Sequence, residues 1–257
     1  MIWNINPVLF HIGGLEIRYY GVFFALSLYC AYILARHMAK KKNLSIEAHD
    51  NLAVYLIIGL VVGARLGHIF FYESDYYLSN PAEILKVWKG GLASHGAAIG
   101  TLLAYGLFLL KNKGLKVFDF ADIIAVVAVF PIAFVRMGNF FNSEIYGRVT
   151  EVPWAVTFAR IDDLPRHPSQ LYEFSMGVIL FAILYTLWVK TNKKRKPGFF
   201  LGLLFAIYFS MRFIVEFFKE YPLHENFFNL TTGQILSLPF ILFGLLILLK
   251  KRHENHR

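Results

Sequence analysis

Ile123-Ile-Ala-Val-Val-Ala-Val-Phe-Pro-Ile-Ala-Phe-Val135 runs straight into Arg136-Met-Gly-Asn139-Phe-Phe-Asn142-Ser-Glu144-Ile-Tyr-Gly147-Arg148. The first stretch carries no charge and suits hydrocarbon. The second packs two arginines, two asparagines, a glutamate and two glycines into thirteen residues. A helix leaving a bilayer core does not need so many donors unless something polar or anionic is held there. A charged side chain near the bilayer centre costs roughly 2.5–3.5 kcal/mol on insertion scales, so ionisable residues at membrane depth are functional candidates by default.

Composition extends this reading to the whole chain. Of 257 residues, 57% are hydrophobic, 17% aromatic and 17% charged, whereas a soluble domain carries about 25% charge. Mean hydropathy is +0.51. An all-α integral membrane protein is expected, one polytopic domain over residues 1–257 with little length left for a soluble one. The net charge of +9 arrives in short basic blocks between apolar runs, which fits bilayer orientation and not a nucleic-acid partner. Cys30 is the one cysteine, so an intramolecular disulfide and a multi-cysteine metal site are excluded. Neither H-E-x-x-H nor a Walker loop is present, and no metal or cofactor is expected. The first eighteen residues lack the pattern of a cleavable signal peptide. Residues 8–20 instead predict two short strands around Gly13-Gly14.

Crossing a hydrocarbon core takes about 20 largely apolar residues. Seven segments qualify: 19–35, 51–72, 92–110, 120–136, 171–189, 198–218 and 234–249. One set of connections carries Arg36, Lys40, Lys41, Lys42, Lys111, Lys113, Lys116, Lys190, Lys193, Lys194, Arg195, Lys196, Lys250, Lys251, Arg252 and Arg257. The other carries only Arg18, Lys86, Lys89, Arg148, Arg160, Arg166 and Lys219. The richer side is cytoplasmic. The N-terminus is then outside and the C-terminus inside. An outer N-terminal arm (1–18) and a long outer loop (138–170), with residues 152–158 strand-like, are expected to form a small extracytoplasmic cap containing short strands.

With that orientation the polar residues gather at one depth. Tyr20 opens the first crossing, Arg65 and His68 share a face of the second, and His95 starts the third. Arg136, Asn139 and Asn142 end the fourth, Gln170, Tyr172 and Glu173 open the fifth, and Tyr208, Arg212 and Glu216 form a stripe on the sixth. A proton or ion pathway would continue through the inner halves. A site at the outer leaflet fits better.

Each constellation has a plainer reading beside it. Arg212 and Glu216 could neutralise each other, but Arg136 and Arg65 leave more cations than buried carboxylates, which suits a phosphate. His95 could be a packing residue. Glycines and Ser94 leave its surroundings open, so it is favoured over His68 as a general base. Asn139, Asn142 and Glu144 could satisfy the carbonyls where the helix ends; three in six residues exceed that need. Ser169 is expected as a helix N-cap, Tyr172 as an interface anchor, and Asp119 and Asp122 as caps of the fourth crossing. Gly59 and Gly63, four apart, read as helix-packing positions. A lipid or anion transporter with outer arginines remains the alternative to an enzyme.

The combination of blocks resembles bacterial prolipoprotein diacylglyceryl transferases. Arg136-x-Gly138-Asn139-Phe140-x-Asn142-x-Glu144-x-x-Gly147 is similar to that family's signature. So are Arg18-Tyr-Tyr20-Gly21, Gly63-Ala-Arg65-Leu-Gly67, Ser94-His95-Gly96, His167-Pro-Ser-Gln-Leu-Tyr-Glu173 and Arg212-Phe-x-x-Glu216-Phe-Phe. The resemblance implies a multi-pass enzyme of the bacterial inner membrane. It would move an sn-1,2-diacylglyceryl group from phosphatidylglycerol to the lipobox cysteine in the signal peptide of a preprolipoprotein, releasing glycerol-1-phosphate. It implies activity at the positions of Tyr20, His95, Arg136, Asn139, Gly147, Arg212 and Glu216. His95, Arg136 and Arg212 are the expected catalytic residues. Tyr20, Arg65, Asn139, Asn142, Glu144, Gly147, Tyr172, Tyr208 and Glu216 are expected to bind substrate. Two departures stand out: Ala97 where the family often has a second glycine, and Lys219 where it often has arginine.

Overall fold

The computed structural model describes residues 1–87, 90–220 and 230–250. Lys89, Lys251, Arg252 and Arg257, used above for orientation, lie outside them. Nine α-helices and five short strands are present among the described residues: β1 (Ile2–Trp3), β2 (Val8–Ile12), β3 (Leu15–Arg18), α1 (Tyr19–Lys41), α2 (Ile46–Tyr72), α3 (Ser74–Ser79), α4 (Ser94–Lys111), α5 (Val117–Val127), α6 (Val129–Asn142), β4 (Val156–Phe158), β5 (Pro165–Arg166), α7 (Ser169–Thr191), α8 (Phe199–Val215) and α9 (Thr232–Leu249). Six spans are long and apolar enough to cross a membrane, with α5 and α6 acting together as one of 26 residues. The expected third crossing is the helix α4, but its 18 residues begin with Ser94 and His95 and end at Lys111. It falls short of the other six.

The chain packs as two compact units, residues 36–120 and residues 1–35 with 121–257. In the first, α2 and α4 touch backbone to backbone. A methyl group on Gly63 would lie 2.4 Å from the Gly96 carbonyl oxygen, and one on Gly100 would lie 2.1 Å from that of Gly59. Without a hydrophobic drive between helices in lipid, such close approach supplies the dispersion contacts that hold them. An apolar groove of about 510 Å³ runs along this pair.

The second unit places its sheets at one end of the helices. The hairpin β2–β3 forms as expected, with His11 opposite Glu16. β1 pairs in parallel with β4, which pairs antiparallel with β5. Trp3, Phe140, Val156 and Phe158 bury one another beneath that sheet. The polar stretch after Val135 does not leave the helix at once. α6 continues to Asn142 and puts Arg136 and Asn139 three apart on one face. The break between α5 and α6 falls at Ala128, in the turn before Pro131, whose ring excludes a continuous ladder.

Of the expected caps, Asp119 is placed as expected and Asp122 and Ser169 are not. Asp119 accepts the Lys116 amide at the start of α5 at 2.8 Å. Asp122 instead reaches α8 and accepts the amides of Gly198, Phe200 and Leu201 at 2.8, 3.0 and 3.0 Å. Three orphan donors at that helix start are satisfied by one carboxylate. Ser169 does not cap α7 either: its hydroxyl donates to the Ile145 carbonyl at 2.9 Å.

Candidate functional site

α6 ends in a turn that satisfies its carbonyls with backbone alone. Ser143, at φ +57°, and Glu144 donate their amides to Phe140 and Asn139. The side chains are therefore free of capping. Asn139 and Asn142 both donate to the Glu144 carboxylate, at 3.3 and 3.1 Å, and Arg136 donates to the Asn139 amide oxygen at 3.3 Å. Gln170 of α7 holds the Glu144 carbonyl at 2.7 Å. Ile145, a β-branched residue at φ +55°, follows. Such a residue persists there only when its surroundings over-determine it.

Around this turn runs a chain of alternating charge. Arg136 pairs with Glu173 of α7, which also pairs with Lys219. Lys219 lies 3.2 Å from Glu216, and Glu216 lies 3.5 Å from Arg212 on α8. Thr231 donates to Glu216 at 3.1 Å. Glu216 is 2% exposed and Lys219 7%. Arg212 and Glu216 are thus not a simple neutralising pair, because Glu216 is shared three ways. Three cations against two carboxylates leave one positive charge over. Removing one member of such a buried set strands its partner, at roughly 3–5 kcal/mol.

Availability separates the two arginines. Arg136 is held by Glu173 and Asn139, and the Tyr208 hydroxyl is a further hydrogen-bond partner. Arg212 has a side chain 27% exposed; among the described residues its one ion-pair contact is the long one to Glu216, and the Glu173 charge acts on it from further away. A cavity of about 20 Å³ lies between Arg136, Glu173, Tyr208 and Arg212. It is room for about one water, so a larger ligand must displace side chains to enter.

The remaining expected residues fall into three places. Tyr20 packs its ring against Gly138, where a methyl group would lie 2.6 Å from that ring. The Tyr172 hydroxyl accepts from the Trp154 indole at 2.7 Å and lies 3.0 Å from His167 Nδ1. Burial, with Arg148 nearby, holds the His167 imidazole below its ordinary range, so it is neutral near pH 7. Tyr172 therefore ties the loop to α7.

In the other unit, Arg65 spends its guanidinium on four carbonyls: Glu83 at 2.5 Å, Ile84 at 2.9 Å, Gly90 at 2.7 Å and Gly91 at 3.1 Å. His68 lies 3.5 Å from Glu73 and stacks on Tyr72. His95 is exposed at the start of α4, its ring set against Phe71 and Tyr72 at 5.1 and 5.8 Å.

Gly147 is a point of close approach. Its amide donates to the His167 carbonyl at 2.8 Å, and it bridges Lys219 across an antiparallel step. A methyl group there would lie 2.5 Å from the Phe218 carbonyl oxygen and 2.6 Å from that of His167. Gly147→Ala should cost roughly 1–3 kcal/mol in overpacking. It should reduce turnover per folded molecule as well, because the displaced backbone carries Lys219. Thermal unfolding and turnover measured together check this, and full turnover would show that the bridge moves without consequence.

Sequence reasoning missed Lys219 as a member of this chain of charges. Its signal was present: a lysine three residues after an intramembrane glutamate. Thr231 and Gly233, which closes on the Glu216 carboxylate, left no comparable signal.

The family model described as prolipoprotein diacylglyceryl transferase matches residues 7–250. The chain is 42% identical over 258 residues to the phosphatidylglycerol–prolipoprotein diacylglyceryl transferase of Tolumonas auensis, covering 100% of both chains. It is 41% identical over 249 residues to the protein of that name from Chloroherpeton thalassium, covering 96% of this chain and 93% of the relative. Against the Bacteroides fragilis protein of that name it is 41% identical over 256 residues, covering 95% and 92%.

Proposed function

This chain belongs to the prolipoprotein diacylglyceryl transferase family, and we propose that its Arg136–Arg212 cluster carries the chemistry. The protein is a membrane-embedded transferase that moves a diacylglyceryl group from phosphatidylglycerol to a prolipoprotein. The acceptor is the thiol of the lipobox cysteine. The thiolate attacks the diacylglyceryl carbon that bears the phosphate, a C–S bond forms, and the C–O bond breaks. Glycerol-1-phosphate leaves with the bonding electron pair, so a phosphodiester monoanion becomes a monoester dianion.

The observation that carries this reading is the surplus cation of the buried chain, with Arg212 its partly exposed arginine. Preorganised donors of this kind stabilise charge that grows in the transition state. Arg136 and Arg212 receive the departing phosphate. Asn139, Asn142 and Glu144 set Arg136 at the end of α6, while Tyr20, Tyr208 and Tyr172 shape the walls and Glu216 orients Arg212. Gly147 and Arg65 act through backbone, the first on Lys219 and the second on the loop after α3. His95 takes the thiol proton: a free thiol has a pKa of about 8.5 and reacts as the thiolate.

The same reading keeps seven crossings, counting α4, with residues 142–144 on the extracytoplasmic face of the inner membrane. The charge bias of the connections supports it. Transport by outer arginines is not favoured, since the family transfers a group. Purified protein given phosphatidylglycerol and a lipobox peptide should yield a thioether-linked lipopeptide. Lipid movement without a covalent product would defeat the proposal, and so would reporter fusions that put residues 142–144 in the cytosol.

A further inference from the structure

We propose that Lys219 is a positioning residue that sets the separation of Arg136 and Arg212 by holding both carboxylates that hold them. Its ammonium pairs with Glu173 and lies 3.2 Å from Glu216 Oε1. Glu173 faces Arg136, and Glu216 faces Arg212 at 3.5 Å. Among the described residues no other side chain is in ion-pair contact with both carboxylates. The backbone is fixed as well as the tip, since the Lys219 amide donates to the Glu216 carbonyl at 3.3 Å and the Lys219 main chain bridges Gly147.

Two consequences follow from removing this ammonium. Glu173 and Glu216 would face each other without a cation between them, and like charges at short range do not both stay ionised and in place. Each arginine would move with its own carboxylate. The cluster would also fall from one surplus positive charge to none, just where a phosphate gains a negative one. Arginine at this position has the reach and the planar fork to bridge the same two carboxylates. Lysine does it as a point charge on a buried stem.

The proposal rests on reading Arg136 and Arg212 as the phosphate-holding pair. Its test uses the full chain in detergent with phosphatidylglycerol and a lipobox peptide, with kcat and KM expressed per folded enzyme. Lys219→Met should lose roughly 10²-fold in kcat, as a misplacement near 1 Å does, with KM for phosphatidylglycerol changed by less than about fivefold. Lys219→Arg should restore most of that loss. Combined with Arg212→Lys, the Lys219→Met loss should not add in full, since both act through one guanidinium. Lys219→Gln serves the same comparison if Lys219→Met gives too little folded protein.

Folded Lys219→Met with kcat within about threefold of the parent, or losses that add fully with Arg212→Lys, overturns the positioning role. Wild-type kcat in both Arg136→Gln and Arg212→Lys overturns the phosphate-holding pair, and this role with it. Loss in those two with a normal Lys219→Met overturns the positioning role alone.

Discussion

Arg212→Lys should lower kcat by at least about 10²-fold while keeping the charge, the scale seen when one preorganised donor is removed from a charge-developing site. The two arginines differ in what they have left to give. Arg136 is committed to Glu173, Asn139 and Tyr208. Arg212 makes one long ion-pair contact, to Glu216, and its side chain is partly exposed. The planar guanidinium presents two parallel donors to a phosphate, and an ammonium cannot copy that geometry from the same backbone position. The neighbouring structure does not depend on Arg212, because Glu216 keeps Lys219 and Thr231. The variant should fold, with its melting temperature close to that of the parent. The substrate phosphate is a monoanion before the C–O bond breaks and a dianion after. Loss of a donor should therefore fall on kcat more than on KM for phosphatidylglycerol. Turnover and a binding isotherm with phosphatidylglycerol micelles separate the two. A raised KM with unchanged kcat would make Arg212 a uniform binder of the headgroup and remove it from the chemistry.

Much of this site was legible because hydrocarbon makes polar residues conspicuous. Arg136, Asn139, Tyr208, Arg212 and Glu216 stood out against apolar runs, and they lie within one unit of the fold. The N-terminal hairpin was equally plain, since Gly13-Gly14 between alternating residues leaves little else to form. Gly59 and Gly63 showed their packing role through spacing alone. What stayed hidden was partner choice. Periodicity placed Glu173 at the start of a helix and named it a partner for some arginine, but could not say that Lys219 would share it. Asp122 read as the cap of its own helix because sequence shows only local neighbours. The chain instead brings it to α8, seventy-six residues away. Arg65 looked like a spare cation, yet it closes a loop by donating to four carbonyls. A guanidinium that hydrogen-bonds only to main-chain oxygen leaves no pattern in the residues that accept from it, and its place 4.7 Å above the Tyr77 ring is equally silent in sequence.

His95→Gln should reduce turnover by about 10²- to 10⁴-fold at pH 7, the usual worth of a positioned acid–base group. Glutamine keeps the bulk and a hydrogen-bonding end but cannot accept a proton near neutrality. His95 is exposed at the first turn of α4, held from one side by Phe71 and Tyr72, so its replacement should disturb little packing. Binding of phosphatidylglycerol should survive. The decisive measurement is the ratio of parent to variant rate between pH 7 and 9.5. A thiol of pKa about 8.5 ionises by itself across that range, so a missing base matters progressively less and the ratio should shrink. His68, 3.5 Å from Glu73, provides the comparison: His68→Gln should show no such convergence. A constant ratio for His95→Gln would mean that the histidine positions substrate and that another group, or water, removes the thiol proton.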